Sequence, residues 1–380
     1  MASQQFNYLD SFQMFIMIYV IIAMGYFFSW RNFFNLDDCY TILRLIRLVS
    51  FPAFMLREIS LSEPSYFTWK PLIISLLTFL SIRLLTVLIS LVFSRKKFFF
   101  KYLQFSFSYS YVNFISFGYP FIRLFFGTKY EYICAIMNII QSFIMKPIDL
   151  FLVNIFSPLN PSHPYLAPGS ESETHLENLD HPEEKESSQS ISTNNIEECL
   201  VPDSNATPET SPDTYIFHDD ESLKIAILLT VFSPQNICTI LGIAYSFSRW
   251  EIPPIIETVI LNFENMAVGT TLFFIGVSLW LHPWKGCNYL EVLPSLLIKH
   301  VIMPLIALLY CWILKFDSLT AYCCVMLFTM PADYTGIALL SKNSLRANPI
   351  TFSFFFSQLL GLPCFFIWIA IFNETNIISS

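Results

Sequence analysis

Two polar side chains stand out because each lies in a long apolar run beside a proline and a glycine. One run reads Tyr111-Val-Asn113-Phe-Ile-Ser-Phe-Gly118-Tyr-Pro120, the other Phe328-Thr-Met-Pro331-Ala-Asp333-Tyr-Thr-Gly336. Proline removes a backbone donor and clashes with the preceding turn, and glycine permits unwinding. Free carbonyls and amides at membrane depth are tolerated only in a protein-lined or wet cavity. A matched pair of interrupted helices is therefore a pointer to a transporter site, and Asn113, Gly118, Pro120, Pro331 and Asp333 are its candidate substrate-binding residues. The Asn113 amide offers both a donor and an acceptor, suited to a carboxylate or hydroxyl; it would equally serve as a packing bond between helices. Two roles are open to Asp333: carrying a proton or cation, or capping the half-helix that follows.

Other charges in apolar runs need partners. Lys146 and Asp149 are three residues apart and share a helix face, so an internal ion pair is expected. Arg83 lies near the middle of its run. It would attract an anionic substrate, or pair with Asp333 or Glu264. Arg44 and Arg47 are expected to snorkel to an interface. Proline also occurs at Pro52, Pro147, Pro234, Pro304 and Pro363. The six histidines are scattered, and no Walker loop, Gly-x-Ser-x-Gly or His-Glu-x-x-His appears. The sequence reads as a non-enzyme that calls for no cofactor and no metal. The nine cysteines lack metal spacing and are expected to be buried thiols.

These residues are positioned by a chain that is 54% hydrophobic and only 13% charged, where soluble chains are about a quarter charged. From Ser157 to Glu221 there are fifteen Asp or Glu against one base, Lys185. The net charge of −8 is therefore a segment of −14 attached to a body of +6. That segment is rich in Ser, Pro and acids and is expected to be disordered. A membrane span needs about 20 apolar residues. Ten are predicted, at 11–29, 39–60, 71–93, 102–126, 131–156, 223–246, 254–281, 290–314, 318–340 and 349–372. The first lacks a basic leader and a cleavage site, so it is expected to stay as a span rather than act as a signal peptide. The organisation is then a five-helix membrane repeat over 1–156, an acidic cytosolic loop over 157–221 and a second five-helix repeat over 222–380. An odd number of spans per half makes the repeats inverted, and the interrupted segments are the fourth and ninth spans.

Loop charges set the orientation. Arg31, Arg95, Lys96, Lys97, Lys101, Lys185, Lys285, Lys342 and Arg346 fall on one side; Arg57, Lys70, Arg123, Lys129, Arg249 and Lys315 fall on the other. The richer side is expected to be cytosolic, with both termini outside or lumenal. The sequons at Asn205 and Asn373 are expected to be chance matches.

In order along the chain, several segments resemble the auxin efflux carrier (PIN-like) family. They are Gly25-Tyr-Phe-Phe-Ser-Trp-Arg31, Asn35-Leu-Asp-Asp38 and Phe51-Pro52; the Asn113, Gly118, Pro120 and Gly127 spacing; Phe263 to Leu279; Lys299-His-Val-Ile-Met-Pro304; and Met330 to Gly336. The resemblance covers both membrane halves and skips the loop. It implies a scaffold domain and a transport domain, with the broken fourth and ninth helices crossing in the latter. It also implies substrate binding near that crossing, with Asn113 as a binding residue. Plant members carry an Asp and a Lys on the third helix; here Ser75 to Phe79 stand there, with Arg83 one turn on, so auxin itself does not carry over. The short acidic loop is similar to the fungal or protist branch. The function expected is a secondary transporter exporting a small organic anion of the auxin-like weak-acid class by alternating access. The rival is a receptor or scaffold acting through its cytosolic loop. Expected partners are the solute, the lipid bilayer, a second copy of the chain in a homodimer, and a kinase acting on Ser187, Ser188, Ser190 and Ser192. Nothing points to nucleic acid. The endoplasmic reticulum membrane is favoured over the plasma membrane.

Overall fold

A computed structural model describes residues 8–64, 68–93, 98–156, 220–250, 252–281, 289–337 and 348–375. The acidic loop expected over 157–221 lies outside these residues, except that Asp220 and Glu221 open a helix. The loop serines, Asn205 and the stretch after Ile337 in the ninth predicted span also lie outside them.

The described residues are helical throughout, apart from one bridged pair. In chain order the helices are α1 (Tyr8–Trp30), α2 (Leu36–Leu45), α3 (Phe51–Ser60), α4 (Lys70–Phe93), α5 (Phe98–Tyr109), α6 (Tyr119–Phe126), α7 (Tyr132–Ile140), α8 (Lys146–Phe156), α9 (Asp220–Val231), α10 (Pro234–Ser248), α11 (Pro254–Leu281), α12 (Tyr289–Leu297), α13 (Met303–Ile313), α14 (Ser318–Thr329) and α15 (Asn348–Thr375). Among the described residues, six stretches are long and apolar enough to cross a membrane: Phe12–Trp30, Lys70–Val92, Thr128–Val153, Pro254–Leu281, Val292–Ile313 and Ile350–Phe372. Phe114–Phe126 and Ser318–Thr329 are shorter apolar helices. Large apolar side chains such as Leu84, Leu88, Ile255, Val259 and Leu309 are exposed on the outer faces. An apolar surface of this kind is covered by lipid in a membrane protein.

Local chemistry sets the helix starts. Asn35 and Asp38 form a reciprocal capping box at α2, each side chain accepting from the other's backbone N–H at 2.9 Å. Asp317 caps α14 by accepting from the Thr320 N–H at 3.0 Å.

Five-residue π-helical turns join four helix pairs or half-helices: Ile46–Ser50, Phe114–Gly118, Gln141–Met145 and Ile298–Ile302. Each ends two residues before a proline, at Pro52, Pro120, Pro147 and Pro304. Proline offers no N–H and its ring collides with the carbonyl four residues back. Widening the turn by one residue moves that carbonyl aside. Pro294 and Pro363 sit inside helices without such a turn.

Packing divides the helices into two bundles. In the first, α1, α3 and α10 pack together with α11. In the second, α4, α5, α7, α13, α14 and α15 pack on one another. Within the first bundle α1 and α11 touch backbone to backbone. A Cβ on Gly25 would stand 2.1 Å from the Phe273 carbonyl oxygen, and one on Gly276 2.0 Å from that of Ile22. Small residues allow this close approach, the usual source of helix association in lipid.

Candidate functional site

The chain breaks its helical run after Tyr109 and again after Thr329. The two extended breaks lie antiparallel, with Val112 opposite Ala332. The Asn113 N–H donates to the Pro331 carbonyl at 3.0 Å, and the Asp333 N–H donates to the Tyr111 carbonyl at 3.0 Å. The central pair is served by side chains. Gln141 clamps Val112 from both sides: its Oε1 accepts from the Val112 N–H (2.8 Å) and its Nε2 donates to the Val112 carbonyl (2.9 Å). Ser357 Oγ accepts from the Ala332 N–H (2.9 Å), and Gln358 Nε2 donates to the Ala332 carbonyl (2.8 Å). These bonds stand in for the water that a lipid interior lacks. Below the crossing, Phe79, Phe114 and Phe328 meet edge to face, with centroids 5.7–6.3 Å apart.

Asn113 sits at this crossing, 3% exposed. Its Oδ1 accepts from the Ser116 N–H at 2.9 Å, capping the widened turn, while its Nδ2 is buried with no hydrogen-bond partner. Asn138 Nδ2 and Gln358 Oε1 are likewise buried and unpaired. Each such group in a native structure calls for an explanation, a bound water, ion or ligand among them.

Asp333 turns its Oδ2 back onto the N–H and hydroxyl of Thr335. Of the two roles open to it, this is the capping contact. Three cations lie within electrostatic reach of its carboxylate: Arg47, Lys146 and Lys299. Lys299 is 1% exposed, and its Nζ contacts Met303 Sδ at 3.7 Å.

Several expectations change. Pro120 is not at the break. The break spans Ser110 to Asn113, and Pro120 sits in the first turn of α6, where it widens the turn before it. Pro331 does lie in its break. Gly118 keeps helical dihedrals (φ −68°), so unwinding is not its role. Its lack of a Cβ admits Leu327 of α14, whose Cδ2 would otherwise stand 2.5 Å away. Asp149 does not pair with Lys146. Its Oδ2 bonds Arg83 Nη2 (2.5 Å) and Tyr111 Oη (2.6 Å), so Arg83 pairs with neither Asp333 nor Glu264. Arg83 also donates to Ser106. Glu264 is held by Arg57, whose Nη1 lies 3.2 Å from both its oxygens. Arg47 does not snorkel to an interface. It sits in the middle of the helical run, in the widened turn, within reach of Asp333 and Tyr334.

Sequence reasoning passed over Gln141 and Gln358, placed Arg47 at an interface, and named Lys299 only within a family-like segment without a role at the crossing. A signal existed for three of them: Arg47, Gln141 and Lys299 each precede a proline by five or six residues. A groove of about 260 Å³ lined by Phe12, Phe15, Tyr19 and Leu362 lies on the flank of α1 and is mostly apolar; the Tyr19 hydroxyl donates to the Gln358 carbonyl at 2.6 Å.

Described residues that are almost wholly helical, with lipid-suited outer faces and two interrupted helices that cross through satisfied backbone and leave polar atoms unpaired, have the form of a membrane transporter. The chain belongs to the membrane transport protein family, whose profile matches residues 11–369 and which includes the auxin efflux carriers. No curated protein matches it.

Proposed function

We propose that this protein is a secondary transporter that moves a small organic anion by alternating access, with the crossing as its binding site. The observation that carries this reading is the Asn113 Nδ2 donor, buried at the crossing without a partner. A carboxylate would accept from it. The basic side chains of Arg47, Lys146 and Lys299, all within electrostatic reach of the Asp333 carboxylate, support an anion over a cation there. Auxin-like weak acids are the substrate class this reading puts first.

The same reading takes the chain as ten spans in two inverted halves, 1–156 and 222–380, joined by a cytosolic loop over 157–221. The matched clamps support the repeat, with Gln141 on Val112 in one half and Gln358 on Ala332 in the other. Both termini then lie on the lumenal or outer side. Arg57 leaves the outer-loop charges, because it is bonded to Glu264, and this strengthens the cytosolic bias of the remaining bases. The endoplasmic reticulum is the membrane proposed.

Flux through vesicles reconstituted with the purified chain tests the site, using a panel of labelled small organic acids with auxin among them. Asn113→Ala should keep the fold and abolish the flux seen with the unmodified protein. Equal flux from both would remove Asn113 from the site.

A further inference from the structure

Asn138 of α7 is a second amide at the crossing with a spare nitrogen. It is 5% exposed, and its Nδ2 has no hydrogen-bond partner among the described residues. Its place relative to Asn113 follows from two neighbours on the same helix face, Cys134 one turn before it and Gln141 nearly one turn after. Cys134 Sγ lies 3.9 Å from where Gly118 would carry a Cβ, and Gln141 grips the Val112 backbone. This face of α7 therefore runs antiparallel to the segment from Val112 to Gly118. Asn138 falls opposite the widened turn that Asn113 caps. Ser116, inside that turn, also has a buried hydroxyl without a partner among the described residues.

The backbone fixes the polarity of both amides. The oxygen and nitrogen of an amide are told apart by the groups they bond. The Ser116 N–H is a donor, so the Asn113 atom that receives it is the oxygen, and the nitrogen is left over. Val112 orients Gln141 in the same way, with Oε1 on its N–H and Nε2 on its carbonyl. Gln141 Nε2 also reaches Asn138 at 3.5 Å, so the Asn138 atom facing it is the oxygen. The Asn138 nitrogen is then left over as well. Rotating either amide by half a turn would set donor against donor. Both spare atoms are therefore donors, and a buried donor without an acceptor is costly in a lipid-covered interior. The spare acceptor, Gln358 Oε1, belongs to the clamp on Ala332, which faces outward on the opposite edge of the crossing.

We propose that Asn138 is a second substrate-binding residue, and that Asn113 and Asn138 hold one carboxylate between them, each donating an N–H to one of its oxygens. The proposal rests on the anion-transport reading above and deepens it: the cargo is selected for a carboxylate with two open acceptor oxygens. A carboxamide of the same shape has one acceptor oxygen, and its NH2 would face a donor, so the pair rejects it.

Flux through vesicles reconstituted with the purified full chain tests this. The probes are the panel of labelled small organic acids, auxin and benzoate among them, each with its unlabelled acid and its primary carboxamide as competitors. In the unmodified protein the acid should compete better than its carboxamide by about 10-fold or more. Asn138→Ala should raise the half-saturation concentration by about 10-fold and keep the maximal rate. Asn138→Asp turns the donor into an acceptor at the same shape. It should raise half-saturation for the acid and shrink the preference for acid over carboxamide, because the carboxamide NH2 can donate to the new oxygen. Damage to packing alone would lower the maximal rate and spare that preference. Melting curves check each variant, and if Asn138→Asp does not fold, Asn138→Ala decides. Equal competition by acid and carboxamide in the unmodified protein overturns the proposal, as does an unchanged preference in folded Asn138→Asp. If Asn113→Ala loses flux while Asn138→Ala transports like the unmodified protein, a water and not the cargo meets Asn138; this inference then fails and the transport reading stands. Absence of flux for every acid sinks both.

Discussion

Asn113 divides its amide between two tasks. The oxygen fixes the widened turn through Ser116, and the nitrogen is buried without a partner; in the proposed function it receives the anion. A hydrogen bond to a charged group contributes about 1.5–3 kcal/mol, so Asn113→Asp, which keeps an acceptor, loses the donor and adds a like charge, should weaken anion affinity by at least about 10-fold. Half-saturation of flux in vesicles reads this directly. The Arg83–Asp149 pair is different in kind. It is buried and braces Tyr111, whose carbonyl receives the Asp333 N–H. Asp149→Asn strands the guanidinium and should cost about 3–5 kcal/mol, seen as a lower melting temperature in detergent. Asp149 was legible as an ion-pair member, but its partner was not. Spacing within one helix favoured Lys146, whereas the partner sits 66 residues away in sequence, on α4. Glu264 shows the same limit: its charge demanded a partner, and only the fold could supply Arg57.

The helices themselves were largely readable, because apolar runs and polar links set their limits. The paired breaks were readable too, from proline and glycine at corresponding places. Their exact position was not. In the first half the extended segment falls at Ser110–Asn113, ahead of Gly118 and Pro120, because Gln141 on another helix is there to receive its backbone. The widened turns were hidden for a related reason. Proline marks where a helix must yield, yet whether it kinks, ends or widens depends on what packs around it. Pro304→Ala removes the need for the widened turn before it. If that turn tightens, Lys299 rotates by about 100°, one residue's step on a helix. The expected outcome is an equal or higher melting temperature with reduced flux. At the α1–α11 contact, Gly276→Ala forces a methyl into the Ile22 carbonyl. Such overpacking costs typically about 1–3 kcal/mol, and a melting curve of the variant measures it.

At the scale of the whole molecule, two bundles meet along a seam, with the crossing inside the second bundle. Composition revealed an acidic loop on a basic body, and the described helices account for the body alone. A transporter whose site lies within the helices should keep flux when residues 157–219 are replaced by a short neutral linker, whereas a scaffold working through that loop should lose its function. Vesicle flux of the shortened chain against the full chain distinguishes the two.

The clamped crossing has a mechanical consequence. Val112 and Ala332 receive their hydrogen bonds from Gln141, Ser357 and Gln358, all on helices of the same bundle. Displacing that bundle as one body relative to its neighbour would leave every one of these bonds intact, so the interrupted backbone travels already dressed in its own solvent. The resistance to such a stroke would then fall on the seam and on the cargo, not on the break that looks fragile in sequence.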